Sequence, residues 1–120
     1  MTGLAKHQRL LNKADFNGVF SKSVKVSNAF FLILIHKTST PYSRLGLVIS
    51  KKVDKRAVQR NRVKRICRET FRKFVFESHC DYVVLARPNI TKNSNKDLTL
   101  SLNQLWEKTQ PKIQQIRKNS

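Results

Sequence analysis

The chain reads as a single α+β domain, and three observations carry that reading. Three runs rich in β-branched and aromatic residues, over 28–37, 44–51 and 81–87, have strand length. Between the second and third lies a stretch, 56–76, whose apolar residues recur at helical spacing, and a second such pattern covers 94–108. No repeat, low-complexity segment or linker divides the 120 residues, which is room for one hydrophobic core. The whole chain, 1–120, is therefore taken as one domain, with a core over about 8–110 and a C-terminal tail over 111–120.

The first element expected is a short helix over 13–21. Asn12 is a good N-cap, Asp15 falls at the third helical position, and Leu11 with Phe16 can staple the cap. Phe16, Val19 and Phe20 then share one face, a stripe that suits core packing or the wall of a base-stacking groove. A weak strand signal covers 24–26. The run NAFFLILIHK (28–37) reads as a strand buried on both faces, and Pro41 marks 38–43 as a turn. The second strand, RLGLVISK (44–51), is expected to pair with the first as an antiparallel hairpin, with Lys51 and Lys52 at its end.

The long helix over 56–76 places Val63, Ile66, Cys67, Phe71, Phe74 and Val75 on one face. The third strand, DYVVLAR (81–87), is closed by Pro88. Ser94 and Asp97 resemble a capping box ahead of Leu98, Leu102, Leu105 and Trp106. Pro111 is expected to break or restart that helix, and 117–120 to fray.

Charge points to the partner. The segment 51–73 carries eleven Lys and Arg against Asp54 and Glu69, a net +9 that is half of the formal +18. Such a density of like charge opposes compaction unless a polyanion neutralises it. A solvated helix face normally mixes signs at i,i+4, whereas here Glu69 stands alone among arginines. Lys51, Lys52, Lys55 and Arg56 also crowd a helix N-terminus that is already positive, a broken local rule that a phosphate would remedy. Arg65, Arg68 and Arg72 run with Asn61 down the face opposite the apolar stripe, and Arg62 and Lys64 lie on its shoulders. Arginine suits bidentate phosphate contact and base stacking. Without a helix-turn-helix, zinc knuckle or zipper, folded RNA is the expected partner, and DNA is not expected.

Other function classes find little support. No apolar run approaches the length of a membrane span, and the N-terminus lacks the apolar core of a secretory signal, so a cytoplasmic protein is expected. Cys67 and Cys80 lack metal-ligand spacing, and Cys67 reads as a buried thiol. The seven acids and three histidines fall in no ligating or acid–base motif, so catalytic residues are not assigned and any reactive groups are expected from a partner.

The order of residues is more specific than the charge. Gly46-Leu47-Val48-Ile49-Ser50-Lys51-Lys52, then Ala57-Val58-Gln59-Arg60-Asn61-Arg62-Val63-Lys64-Arg65, then Arg68-Glu69-x-Phe71-Arg72 closely resembles the bacterial ribonuclease P protein component family. The resemblance extends to Arg9-Leu10, the Asp15-Phe16 to Val19-Phe20 helix, the 81–87 strand and Leu105-Trp106, covering about 8–110.

That resemblance implies an α–β sandwich with a small mixed sheet and a left-handed βαβ crossover through the basic helix, against the usual hand. It implies a subunit of a ribonucleoprotein endonuclease that removes the 5′ leader of precursor tRNA, with the catalytic RNA holding the Mg2+ ions. Carried over residue by residue, the RNA-subunit contacts fall on Arg60, Asn61, Arg62, Lys64, Arg65 and Arg68, and Arg56 at the crowded helix N-terminus and Arg72 on the outward face are expected to join them. The leader cleft falls on Phe16, Phe20, Lys51 and Lys52, with Leu34 where many relatives carry an aromatic. A ribosomal or RNA-chaperone module of similar basic α+β type is the alternative, and a self-sufficient protein nuclease a third reading.

Overall fold

The computed structural model describes residues 23–38, 40–76 and 78–118, the last five of them by backbone alone. The predicted helix over 13–21, and with it Phe16 and Phe20, lies outside the described residues. The described elements are β1 (Val24–Ser27), β2 (Phe31–Lys37), β3 (Arg44–Val48), α1 (Ala57–Lys73), β4 (Cys80–Ala86), a 3-10 turn (Ile90–Lys92) and α2 (Asn95–Lys118). The weak strand signal over 24–26 is thus a real edge strand.

Asn28 explains why β2 starts at Phe31 and not at residue 28. Its Oδ1 accepts the N–H groups of Phe30 and Phe31 at 3.0 and 2.9 Å, folding 28–30 into the turn of a β1–β2 hairpin. Its amide nitrogen reaches Ser101 Oγ at 2.8 Å, tying that turn to α2.

The sheet order β1-β2-β4-β3 corrects the expected pairing of the second and third strands. Strand β4 lies between them, antiparallel to β2 over seven residue pairs and parallel to β3 over five. Burial explains the choice: residues 80–84 of β4 are buried without a break, so this strand gains most from the central position. The 38–43 connection is held in its own turn by Thr40, whose hydroxyl donates to the Tyr42 carbonyl at 2.7 Å. Arg44 and Asp81 face each other in the parallel ladder and form a two-pronged ion pair at 2.8 and 2.7 Å, with the Asp81 side chain 5% exposed. A one-residue slip would send the two to opposite faces, so the pair fixes this register.

Helix α1 is the crossover between parallel neighbours β3 and β4, and α1 and α2 pack together over one face of the sheet. Val63, Ile66, Cys67 and Phe71 of α1 meet Phe31, Ile33, Ile35, Tyr82 and Val84 of the sheet in one continuous core. Trp106 is fully buried there, its ring 5.5 Å from Phe71 and 5.6 Å from Tyr82, both edge-on. On the opposite face a smaller cluster forms around Leu34 and Val83.

Two helix ends differ from expectation. Helix α1 stops at Lys73, where Phe74 turns extended and donates its N–H to the Thr70 carbonyl at 3.1 Å. Val75 is consequently 87% exposed and not on the apolar stripe, while Phe76 folds back onto Phe71 and Tyr82 at 5.1 and 4.9 Å. Stacking Phe76 into the aromatic cluster replaces another helical turn. Pro111 sits inside α2 without breaking it. The carbonyl it leaves unbonded belongs to exposed Glu107, where water can serve it, and buried Thr109 and Ile113 hold the turn to the core. Ser94 caps α2 as expected, accepting the Asp97 N–H at 3.1 Å.

Candidate RNA-binding surface

Helix α1 buries one stripe, so its phasing turns the other outward. Asn61, Arg65 and Arg72 are exposed, Lys64 and Arg68 half-buried. Spacings of four, three and four residues from Asn61 through Arg65 and Arg68 to Arg72 keep these groups on one helix face. A row of delocalised cations at one-turn intervals can meet successive phosphates of a nucleic acid backbone.

The arginines flanking Asn61 do something different. Arg60 Nη1 donates to the carbonyls of Asp54 and Lys55 at 3.0 and 2.8 Å. Arg62 donates from all three nitrogens: Nε to Gln59 Oε1 at 3.0 Å, Nη1 to Asn95 Oδ1 at 2.5 Å, and Nη2 to the Thr91 carbonyl at 2.6 Å. Longer bonds of 3.3 Å reach the Asn93 carbonyl. Arg62 therefore bridges α1, the 3-10 turn and the start of α2.

The start of α1 is organised by Asp54. Arg56 occupies the N-cap in extended conformation with no side-chain cap, and the first turn contains no acid. Asp54 lies just upstream. Its Oδ1 accepts the Arg56 N–H at 2.8 Å and Nε at 3.1 Å, and its Oδ2 accepts Arg56 Nη2 at 2.9 Å and the Thr91 hydroxyl at 2.6 Å. The Arg56 side chain, then that of Thr91, hold this carboxyl far below the usual carboxylate range.

Lys51 and Lys52 do not lie on a strand. β3 ends at Val48, and the lysines occupy a turn closed by the Val53 N–H to the Ser50 carbonyl at 3.0 Å, with Val53 buried beneath. This turn and the Asp54–Arg56 segment line one cleft of about 530 Å³, with Asn89 and Lys92 on its other wall. Asn89 is held there in the left-handed conformation, φ 66°. Leu34 is 3% exposed and packs against Val83, on the sheet face opposite the two helices.

Sequence reasoning missed Lys92 and the organising role of Asp54. Lys92 is a lone basic residue in a loop, and no local pattern ties it to a segment some forty positions earlier. Asp54 is, in the sequence, one of two acids among eleven bases. Among the described residues, no group of three His, Cys, Asp or Glu side chains could hold a metal ion. No helix among them is long and apolar enough to cross a membrane.

Comparison with known proteins agrees with this fold. The family model described as Ribonuclease P matches residues 4–110. The ribonuclease P protein component of Legionella pneumophila (strain Lens) is 41% identical over 108 residues, covering 90% of this chain and 94% of the relative. The Staphylococcus aureus RNase P protein structure superposes with TM-score 0.78 at 27% identity, covering 85% of this chain and 94% of that one. The Thermotoga maritima RNase P protein gives TM-score 0.70 at 32% identity, covering 81% and 94%.

Proposed function

The chain belongs to the ribonuclease P protein family, and from that premise we propose that it is the protein subunit of a tRNA-processing ribonucleoprotein. It binds the ribonuclease P RNA and the 5′ leader of precursor tRNA, and assists removal of the leader. The observation that carries this reading is the outward face of α1, where Asn61, Arg65 and Arg72 stand exposed along one side of a helix anchored on its other. Phosphates of the RNA subunit neutralise this face, and their counterions are released on binding.

The chemistry belongs to the RNA subunit, which holds the Mg2+ ions; this chain positions. Phe16 and Phe20, by family resemblance, grip the single-stranded leader, while Leu34, buried against Val83, supports the sheet from within. Precursor then binds more tightly than mature tRNA, and product leaves. The protein works in the cytoplasm, with no membrane or DNA partner.

A reconstitution tests this. Purified protein, ribonuclease P RNA and precursor tRNA are mixed at low Mg2+, omitting each in turn. The expected result is 5′ cleavage that requires the RNA and is enhanced by the protein. Cleavage by the protein alone would favour a self-sufficient nuclease. RNA binding with no effect on cleavage would favour a ribosomal or chaperone-type module.

A further inference from the structure

Val58 is 77% exposed in the first turn of α1, on the side of the helix that carries the outward arginines. At about 100° per residue it stands about 20° from Arg65, about 40° from Arg72 and about 60° from Asn61 around the helix axis. The described residues expose three large apolar side chains, Val58, Val75 and Leu100. Val75 lies past the end of α1 and Leu100 on α2, so among them Val58 alone stands on the cationic face. A scattered exposed valine ordinarily needs no explanation, and it is the placement that singles out this one. Val58 belongs to neither core cluster, and valine is a weaker helix former than arginine or lysine. Neither packing nor propensity calls for it there.

The turn that carries Val58 differs in chemistry from the rest of the face. Val58 and Asn61, one turn apart, are both exposed and both uncharged. Arg60 and Arg62, on either side of Asn61, are half-buried and donate to the carbonyls of Asp54, Lys55 and Thr91. Asn61 is therefore the exposed member of that trio. Cations resume with Arg65 and continue through Arg68 to Arg72. A phosphate offers acceptor oxygens only, and an isopropyl group gains nothing from it. An amide, with donors and an acceptor side by side, matches the edge of a base, and an apolar side chain suits the face of one. Sequence-specific recognition of RNA commonly takes this form, at unstacked bases outside the paired helices.

We propose that Val58 and Asn61 form a contact for an unpaired nucleobase of the ribonuclease P RNA, with Val58 against the face of the base and Asn61 hydrogen-bonded to its edge. Arg65, about 10.5 Å further along the helix, holds the neighbouring backbone by its phosphate. The uncharged turn then receives what that backbone carries. This contact gives the interface a sequence preference, which phosphate contacts by themselves do not supply. The inference rests on the proposed function and deepens it, adding a base to the phosphates that α1 meets.

The test uses the full chain with the complete RNA subunit. Val58→Ala and, separately, Asn61→Ala are compared with wild type across a salt series, after circular dichroism shows native helix content. Each variant is expected to bind on the order of five-fold more weakly, through lost apolar burial or lost hydrogen bonds. The salt slope stays at the wild-type value, because no counterion release is lost. The base is located by modification interference, with RNA treated beforehand with dimethyl sulfate or a carbodiimide and separated into bound and free fractions. Wild-type protein excludes RNA modified at one unpaired base, and Asn61→Ala loses that exclusion. Wild-type affinity in either variant overturns the contact. A reduced salt slope also does, since it transfers the pair to a phosphate. Interference that Asn61→Ala leaves unchanged does so too, and assigns the pair to ribose or backbone. Arg65→Ala separates this from failure of the function itself: if it weakens binding and the other two variants do not, only the base contact falls. A wild-type protein that binds no RNA brings down the parent reading.

Discussion

Arg62 Nη2 donates to the carbonyl of Thr91 at 2.6 Å, across 29 positions of sequence. The same guanidinium also meets Asn95 and Gln59, so one side chain satisfies the 3-10 turn, the entry to α2 and its own helix. Only a planar fork with several fixed donors can do this, which makes lysine a poor substitute. Arg62→Ala is expected to lower unfolding stability by about 1–3 kcal/mol, the range for losing charge-assisted bonds and leaving partners unserved. Arg62→Lys should recover little of it. Urea denaturation followed by Trp106 fluorescence measures both, and a wild-type midpoint in Arg62→Ala would rule out the bridge.

The buried indole of Trp106 donates to Thr70 Oγ1 at 3.0 Å, and that hydroxyl donates back toward the Ile66 and Cys67 carbonyls at 3.0 Å. Thr70→Val keeps the shape and removes the acceptor. An indole N–H left without a partner in the core costs about 1–3 kcal/mol. Thr70→Ser retains the hydroxyl and should lie between valine and wild type in the same denaturation series.

Arg65 is exposed on the outward face of α1. Arg65→Ala should leave thermal stability within about 0.5 kcal/mol of wild type, as surface substitutions do. Its binding to the RNA subunit should weaken, with the salt slope reduced by roughly 0.7–0.9 log units. Binding isotherms from 0.1 to about 0.4 M salt decide it; an unaltered slope would remove Arg65 from the interface.

Phe20→Ala addresses the leader groove. Base stacking is worth about 1–3 kcal/mol per base, so the preference for precursor over mature tRNA should fall by a comparable free energy while affinity for the RNA subunit is kept. Equal preference in variant and wild type would take Phe20 out of the groove.

Burial pushes the Cys67 thiol up to about 12. In the unfolded chain a thiol ionises near about 8.5. Below that pH both states keep the proton and stability is unaffected. As pH rises through it toward 12, the unfolded state releases a proton that the native state retains, so stability is lost. With Cys80 also buried, a disulfide-exchange reagent at pH 8 should label neither thiol until denaturant is added. Rapid labelling of the native protein would contradict that burial.

The local patterns were legible wherever one segment's own chemistry decides its conformation. The α1 stripe of Val63, Ile66, Cys67 and Phe71 is buried as helical spacing implies, and Ser94 caps α2. They misled where distant segments compete. Adjacent strands 28–37 and 44–51 looked like a hairpin, yet β4 separates them because it can bury both of its faces. Helical spacing puts Val75 on the apolar stripe, but the helix stops at Lys73 and Phe76 takes a place among Phe71, Tyr82 and Trp106. Pro111 stays within a helix, and the carbonyl it orphans belongs to Glu107, an exposed residue.

By itself the sequence determined the family and the α+β class, and it set the expectation of an RNA partner. Residue order, apolar period and net charge are properties of the chain before it folds. The tertiary structure alone decided where these cations sit and which groups they meet. Arg60 and Arg62, adjacent in the motif to Asn61, turn inward to hold carbonyls, while Lys92, in no motif, joins Lys51 and Lys52 at one cleft. The reason is physical: a guanidinium near unbonded carbonyls is drawn to them wherever folding brings them within reach, and that reach is set by packing, not by neighbours in sequence.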